Sequence, residues 1–255
     1  MDFPIRGAHV IYLSRLYLNP RSCAVRADLA DCHALHRTIL RAFPPTPDGV
    51  QTARDHFEVL YRVEEDCHGS STLTLLVQSA VVPDWSHLLP GYLVPAGGGQ
   101  ANPESKRVDQ LYAGLEDGMI LAFRLRANPT RKVDTHSGPN GERRNGRRVV
   151  LRDEAEQLEW LRRKGSQHGF ALLATIVNPD VADVRTRNSG KVTGARRPSD
   201  GTVAPAGRHL TFGSVLFEGR LRVVDAATMR DALMHGIGSG KAYGFGLLSV
   251  APPGR

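Results

Sequence analysis

The sequence predicts an α+β fold built from two ferredoxin-like (RRM-like) domains in tandem. Three observations carry that expectation. The second half of the chain reads β-α-β-β-α-β, the order of one ferredoxin-like unit. The first half opens β-α-β-β before its pattern blurs. Ala96 to Glu104, rich in Gly, Pro and polar residues, reads as a surface loop or linker. With 255 residues the chain suits one large domain or two small ones. The split is expected near residues 110–118, giving domains 1–115 and 116–255.

Each element follows from local chemistry. Val10 to Leu18 (VIYLSRLYL) is β-branched and aromatic with near alternation, so it reads as a strand, ended by Asn19-Pro20. Asp31 is an N-cap for a helix over Cys32 to Phe43, with Leu35, Ile39 and Ala42 as its apolar stripe and Pro44-Pro45 as its stop. His56 to Val63 and Thr72 to Val77 read as strands, and Pro83-Asp84-Trp85 opens an irregular segment. Met119 to Ala127 is a strand closed by Asn128-Pro129, and Thr130 to Arg148 is polar. Asp153 to Lys164 reads as a helix, because acids fill its first turn and bases its last, as the macrodipole favours. Trp160 on it is assigned to the second core. Phe170 to Val177 and His209 to Val224 read as strands, with Val184 to Arg208 a basic hairpin or loop between them. Asp225 to Met234 is a short helix, and Leu247 to Val250 is the last strand.

Composition narrows the function classes. A net charge of +7 favours an anionic partner. Three cysteines, Cys23, Cys32 and Cys67, are sparse and odd in number, which fits a reducing compartment and no disulfide framework. The first residues lack the apolar core of a signal peptide, and no run approaches the roughly 18 apolar residues of a membrane helix. A soluble, cytoplasmic protein without a membrane partner is expected. The charge is uneven: residues 124–152 hold nine Arg or Lys against two acids, and residues 185–208 hold six against one. A basic run is often only a solvated face. The alternation in Phe123 to Ala127 goes further, because it buries Phe123 and Leu125 while presenting Arg124 and Arg126 together from a rigid strand. Regularly placed arginines suit phosphates.

The segment Gly236 to Gly246 is the least ordinary. Every even position is Gly or Ala, and every odd position carries a larger side chain. As extended chain it strips one face to bare backbone and presents Ser239, Lys241, Tyr243 and Phe245 on the other. It is not a P-loop: His235 stands where a Walker motif needs glycine, and Ala242 replaces the hydroxyl that holds Mg²⁺. It is not a dinucleotide fingerprint either, since it leaves a helix and enters a strand. Two readings stand. Gly238, Gly240 and Lys241 cradle a phosphate, or the glycines form a turn that packs domain against domain.

Ordered blocks along the chain resemble the CasE family, the CRISPR RNA-processing endoribonucleases of type I-E systems. Leu13-Ser14-Arg15-Leu16-Tyr17-Leu18-Asn19-Pro20 is similar to the family's opening, and Arg26 to Asp31 and Leu35-His36-Arg37-Thr38 follow in step. Val77-Gln78, Pro83 to Ser86 and Phe123 to Pro129 resemble its middle, and Leu216 to Gly219 and Gly236 to Pro252 its end. The match runs from about Leu13 to Pro252. It implies the same tandem fold, with the catalytic helix in the first domain. It implies a metal-independent, cofactor-free cut at the base of a CRISPR repeat hairpin, leaving a 2′,3′-cyclic phosphate and a 5′-OH. It also implies that the guide RNA stays bound and that the partners are the other Cascade subunits.

The resemblance places the catalytic histidine at His36. Imidazole titrates near neutrality and can take the 2′-OH proton or protonate the leaving 5′-oxygen. His33 stands where the family commonly has tyrosine. His33 and His36 are i, i+3 on a helix and share a face. Either the pair divides acid and base roles, or His33 fills the tyrosine's space. A metal site with Cys32 is disfavoured, because Cys32 points elsewhere and no matching Cys/His pair is evident. Arg37 and Arg41 are candidates to stabilise the reacting phosphate. The resemblance makes Arg185, Arg187 and Lys191, in the basic hairpin, the counterpart of a hairpin that reaches into the RNA stem. A non-catalytic RNA-binding subunit of the same assembly is the alternative. A single-strand binder of RRM type needs aromatic RNP motifs, which are absent.

Overall fold

The structure is a computed structural model of the chain. It describes residues 10–46, 52–65, 73–95, 101–133, 147–195 and 209–253. The first sheet combines β1 (Tyr12–Leu18), β2 (Leu60–Glu65), β3 (Leu73–Ser79) and β4 (Glu104–Arg107) in the antiparallel order β2-β3-β1-β4. On one face lie α1 (Cys23–Ala30) and α2 (Cys32–Leu40), and α3 (Ala53–His56) leads into β2. Leu16, Leu18, Leu75 and Val77 of the sheet meet Val25, Leu35 and Ile39 of the helices in one core. The strand order is ferredoxin-like, but no helix joins β3 to β4 among the described residues.

The short α4 (Asp109–Ala113) leads to the second sheet. This contains β5 (Ile120–Ala127), and a small side hairpin of β6 (Thr130–Val133) and β7 (Arg147–Val150) follows. Then come α5 (Glu154–Gln167), β8 (Phe170–Leu172), β9 (Val184–Ala195), β10 (His209–Val223), α6 (Ala226–His235) and β11 (Leu248–Ala251). The order β11-β5-β10-β8 is again ferredoxin-like. Asp153 and Asp225 cap α5 and α6 through their side chains, as such residues do at helix starts. Phe123, Leu125, Val215, Phe217 and Leu221 line the inner face of the sheet against Trp160 and Leu161 of α5 and Met229 and Leu233 of α6. The fold class expected from sequence is the fold observed, and Trp160 is in the second core as expected.

Several expectations need correction. Helix α1 is unforeseen, since it buries only Val25 and has no side-chain cap. Helix α2 ends at Leu40, three residues before the expected Phe43. Residues 56–59 are not strand, because α3 occupies His56 and Glu58 turns the chain with φ 52°. Strand β4 is wholly exposed and lacks the alternation that betrays a strand. Strand β8 stops at Leu172, and a turn held by Val181 N–H to Asn178 O and Thr175 N–H to Val181 O follows. Part of the polar stretch after Thr130 and of the basic insertion, residues 134–146 and 196–208, lies outside the described residues.

The helix-free face of the first sheet rests on the second sheet. Leu60, Gln78 and Leu13 form one cross-strand row on that face, and Arg62 lies on the next row. Gln78 is fully buried; its amide donates to Leu233 O (2.8 Å) at the end of α6, and its carbonyl accepts from Tyr112 Oη (2.7 Å). Arg62 is 2% exposed. Its guanidinium donates to Leu247 O (2.9 Å), Arg124 O (3.2 Å) and Ser249 Oγ (2.9 Å), and pairs with Glu64 at 2.6 Å. Removing this charge takes the side-chain donor from two carbonyls at a buried seam and leaves Glu64 with Arg124 alone as its ion-pair partner. Arg62→Ala should lower the unfolding free energy by about 3–5 kcal/mol, read from the midpoint of a urea titration.

Candidate active site

Helix α2 begins at Asp31, whose carboxylate accepts from His33 N–H at 2.9 Å. That cap fixes the first turn and, with the helical period, sets His33 and His36 on one face. Their rings stack at 6.3 Å with planes 22° apart. Both are half-buried, because the second domain closes over them. Strand β9 crosses the start of α2 at Gly194, where an added Cβ would lie 2.6 Å from Cys32 Sγ and 2.8 Å from Asp31 Oδ1. Burial and the Asp31 charge push the Cys32 thiol up to about 11. Cys32 is therefore protonated at neutral pH and a poor nucleophile there.

The glycine segment forms the opposite wall, and it is not extended. Gly236, Gly238, Gly240, Gly244 and Gly246 all have positive φ, and Lys241–Tyr243 is one 3-10 turn. Ile237 N–H donates to Gly246 O (2.9 Å), closing the loop on itself. The expected two-faced strip does not exist, since each left-handed glycine reverses the chain. Phe245 points inward and is fully buried. The turn instead carries Tyr243 to α2: its ring is 5.8 Å from His36 and 6.4 Å from His33, edge-on to both. Gly238 sits 3.2 Å (as a Cβ) from the Trp160 ring and Gly240 3.0 Å from Phe245, so both serve close packing. Lys241 is half-buried beside them.

The site is cationic. Burial first, then the charges of His33 and Arg54, hold His36 down to about 4. Burial and the Arg54 charge also hold Lys241 below the ordinary lysine value. Arg54, itself paired with Asp55, lowers both groups, and the carboxylates of Asp231 and Asp55 offset only part of this at Lys241; a phosphate in the cleft would relieve the repulsion. Arg54, on α3, has no signal in the sequence, nor do Phe212 and the contact at Gly194; Tyr243 is expected on the presented face of an extended strip and lies instead beside the histidines. Only the glycine spacing signalled Tyr243, and nothing local signalled Arg54.

The remaining candidates divide. Arg37 and Arg41 are exposed on α2. Arg37 is next to His36 in sequence, and neighbours one apart on a helix do not share a face. Arg124 and Arg126 do share a sheet face, as expected, but Arg124 is paired with Glu218 (2.5 Å) and Glu64 (3.1 Å). Arg126 donates to Ser214 Oγ (2.8 Å) and lies 5.5 Å over the Phe245 ring. Arg185 and Arg187 are exposed on β9, in register with Glu218 and Leu216, and so extend that face. Lys191 does not. Strand β9 advances three residues from Asn188 to Lys191 while β10 advances two, Val215 to Gly213, and this bulge turns Lys191 to the opposite face.

Tandem ferredoxin-like units with a histidine pair in a cationic, cross-domain cleft define an RNA-processing architecture rather than a nucleotide-binding one. A family model described as CRISPR associated protein matches residues 11–252, and the chain belongs to that family. It is 36% identical over 242 residues to the CRISPR-associated endoribonuclease Cse3 of Thermus thermophilus, spanning 95% of this chain and 100% of that protein. It is 30% identical over 244 residues to the CRISPR system Cascade subunit CasE of Escherichia coli, spanning 95% and 100%. The structure of Thermus thermophilus Cse3 bound to an RNA representing a pre-cleavage complex superposes with a TM-score of 0.67 at 34% identity, spanning 95% of this chain and 100% of that one.

Two outcomes follow from the site. His36 binds its proton at about pH 4 when folded and near 6.5 when unfolded, so the unfolded chain takes up more protons between those values. Its contribution to stability is complete above pH 6.5 and declines as pH falls toward 4. Urea midpoints measured at pH 7.5, 6 and 5 should drop less in His36→Gln than in the parent protein. Gly194→Val should displace the start of α2, because the new side chain has no room against Cys32 and Asp31. The expected loss is about 1–3 kcal/mol in the same titration.

Proposed function

We propose that this chain is a metal-independent endoribonuclease that cleaves CRISPR precursor RNA at the base of the repeat hairpin and remains on the mature guide RNA within Cascade. The observation that carries the reading is the His33–His36 pair, on one face of α2 and walled by the second domain, in a chain 36% identical along its length to a named CRISPR endoribonuclease. The work is cytoplasmic in this reading, and among the described residues no helix is long and apolar enough to cross a membrane. The chain divides functionally at residue 115, with 1–115 carrying the catalytic helix and 116–255 most of the RNA-holding surface.

The chemistry needs only the side chains of this cleft and the RNA itself. His36 is neutral at pH 7 and accepts the ribose 2′-OH proton. The 2′-oxygen forms a bond to the adjacent phosphorus as the bond to the 5′-oxygen breaks. That oxygen takes a proton, with His33 the acid placed to supply it. The products are a 2′,3′-cyclic phosphate and a 5′-OH. Lys241 and Arg54 face the charge that builds on the phosphate. Arg185 and Arg187 on β9 and Arg126 on β5 follow the RNA backbone, since A-form stems are held by shape and phosphates. Arg37 and Arg41 reach RNA from the outer side of α2. Lys191 meets RNA only if the stem passes the far face of the hairpin.

His36→Ala should reduce single-turnover cleavage of the host's repeat RNA by about a hundredfold or more while the affinity for that RNA stays unchanged. The parent protein should cut equally well in EDTA and leave a cyclic phosphate end. Tight binding without any cleavage by the parent protein would instead make the chain a non-catalytic RNA-holding subunit. Strict dependence on Mg²⁺ would overturn the mechanism.

A further inference from the structure

We propose that Tyr243 is a positioning residue of the reaction centre, its ring holding the His36 imidazole in place and shielding it from water. The proposal rests on the reading of His36 as the group that accepts the 2′-OH proton. The geometry is a three-ring cluster drawn from two domains. Tyr243 stands edge-on to His36 at 5.8 Å with the planes at 61°, and edge-on to His33 at 6.4 Å and 63°. Edge-to-face pairs at such separations are the favoured aromatic arrangement. His36 thus has an imidazole stacked on one side and a phenol ring against another. A histidine on an open helix face would exchange rotamers freely.

The ring's own position is held on both sides along the chain. Before it, Ala242 O accepts from Tyr61 Oη at 3.1 Å. After it, Gly244 has φ +83° and lies tight against Tyr61, since a Cβ there would be 3.1 Å from the ring. Tyr61 is itself 1% exposed in the first domain. Beside Tyr243, Phe212 of β10 packs at 5.2 Å. The turn is therefore clamped to the domain that carries α2, and the ring cannot drift without breaking that clamp. The glycine segment now has a specific task. It carries one aromatic side chain of the second domain to the histidines of the first.

The groups facing His36 are few and identifiable. His33 faces it from α2, Arg54 from α3, and Tyr243 from the 3-10 turn, with Lys241 on the same turn near Arg54. Asp31 and Cys32 sit at the start of the helix under β9. Shielding is the largest influence on His36, ahead of both charges. Taking the ring away opens the imidazole to water and leaves the charges in place. The proton affinity of His36 should then rise toward that of a free histidine.

The test uses the full-length protein and three variants, Tyr243→Phe, Tyr243→Leu and Tyr243→Met. Single-turnover cleavage of repeat RNA is followed against pH, and binding is measured with the same RNA carrying a 2′-deoxy sugar at the cut. His36 is titrated without RNA by NMR of its ring. Tyr243→Phe should keep the rate within about twofold, and Tyr243→Leu and Tyr243→Met should each lose about tenfold or more with binding retained. In those two variants the His36 titration should climb from about 4 toward the ordinary 6.5. An unchanged rate and an unchanged titration in Tyr243→Leu overturns the inference. A loss in Tyr243→Phe as large as in Tyr243→Leu also overturns it, because the hydroxyl and not the ring would then be at work. If His36→Ala cleaves normally, the reading of His36 as base fails, while the NMR titration still judges where Tyr243 places its ring.

Discussion

The structure depends on one buried guanidinium. Arg62 sits on the helix-free face of the first sheet and reaches across to backbone oxygens of β5 and of the chain entering β11. A charged group in such a place has to be hydrogen-bonded nearly to capacity, and this one is. Its geometry therefore sets how the two sheets sit, since rotating one against the other would strand the charge. Gln78 repeats the logic nearby with a neutral amide, tying β3 to the last turn of α6 and to Tyr112. Together they tie the two ferredoxin-like units on either side of the cleft.

That cleft is where the proposed chemistry lies. Neither unit holds it alone. The first contributes the histidine pair on α2 and Arg54 on α3, and the second contributes the β9 crossing, Lys241 and the Tyr243 ring. The alternate glycines make the approach possible. Gly236 abuts Leu60 and Gly244 abuts Tyr61, and in both places the positive φ and the close neighbour favour a residue without a Cβ. Bare backbone in this segment is thus a requirement of packing first. Any contact with phosphate is made by what the packing leaves at the surface, above all Lys241.

Much of this was legible in the sequence, for physical reasons that differ by element. Strands β1, β5 and β10 declare themselves through alternation, because each buries one face in a core. Asp31 announces the start of α2 as its cap, and α5 and α6 start one residue after Asp153 and Asp225, where the sequence pattern opens them. The pairing of His33 with His36 follows from helical spacing alone. What the sequence did not show has no local signature. Helix α1 and strand β4 bury too little to be patterned. The bulge that turns Lys191 away depends on the partner strand. Arg124 looked like a phosphate contact until its two carboxylates, from β2 and β10, came together around it. Arg54 meets His36 only through tertiary structure.

The distance along the chain between His36 and Tyr243 has a consequence for synthesis. The first domain emerges from the ribosome and can begin to fold while the residues that wall its histidines are still unmade. Until the glycine turn arrives and docks on Tyr61, the imidazoles of α2 stand open to water. The walled histidine pair therefore exists only once nearly the whole chain has been made.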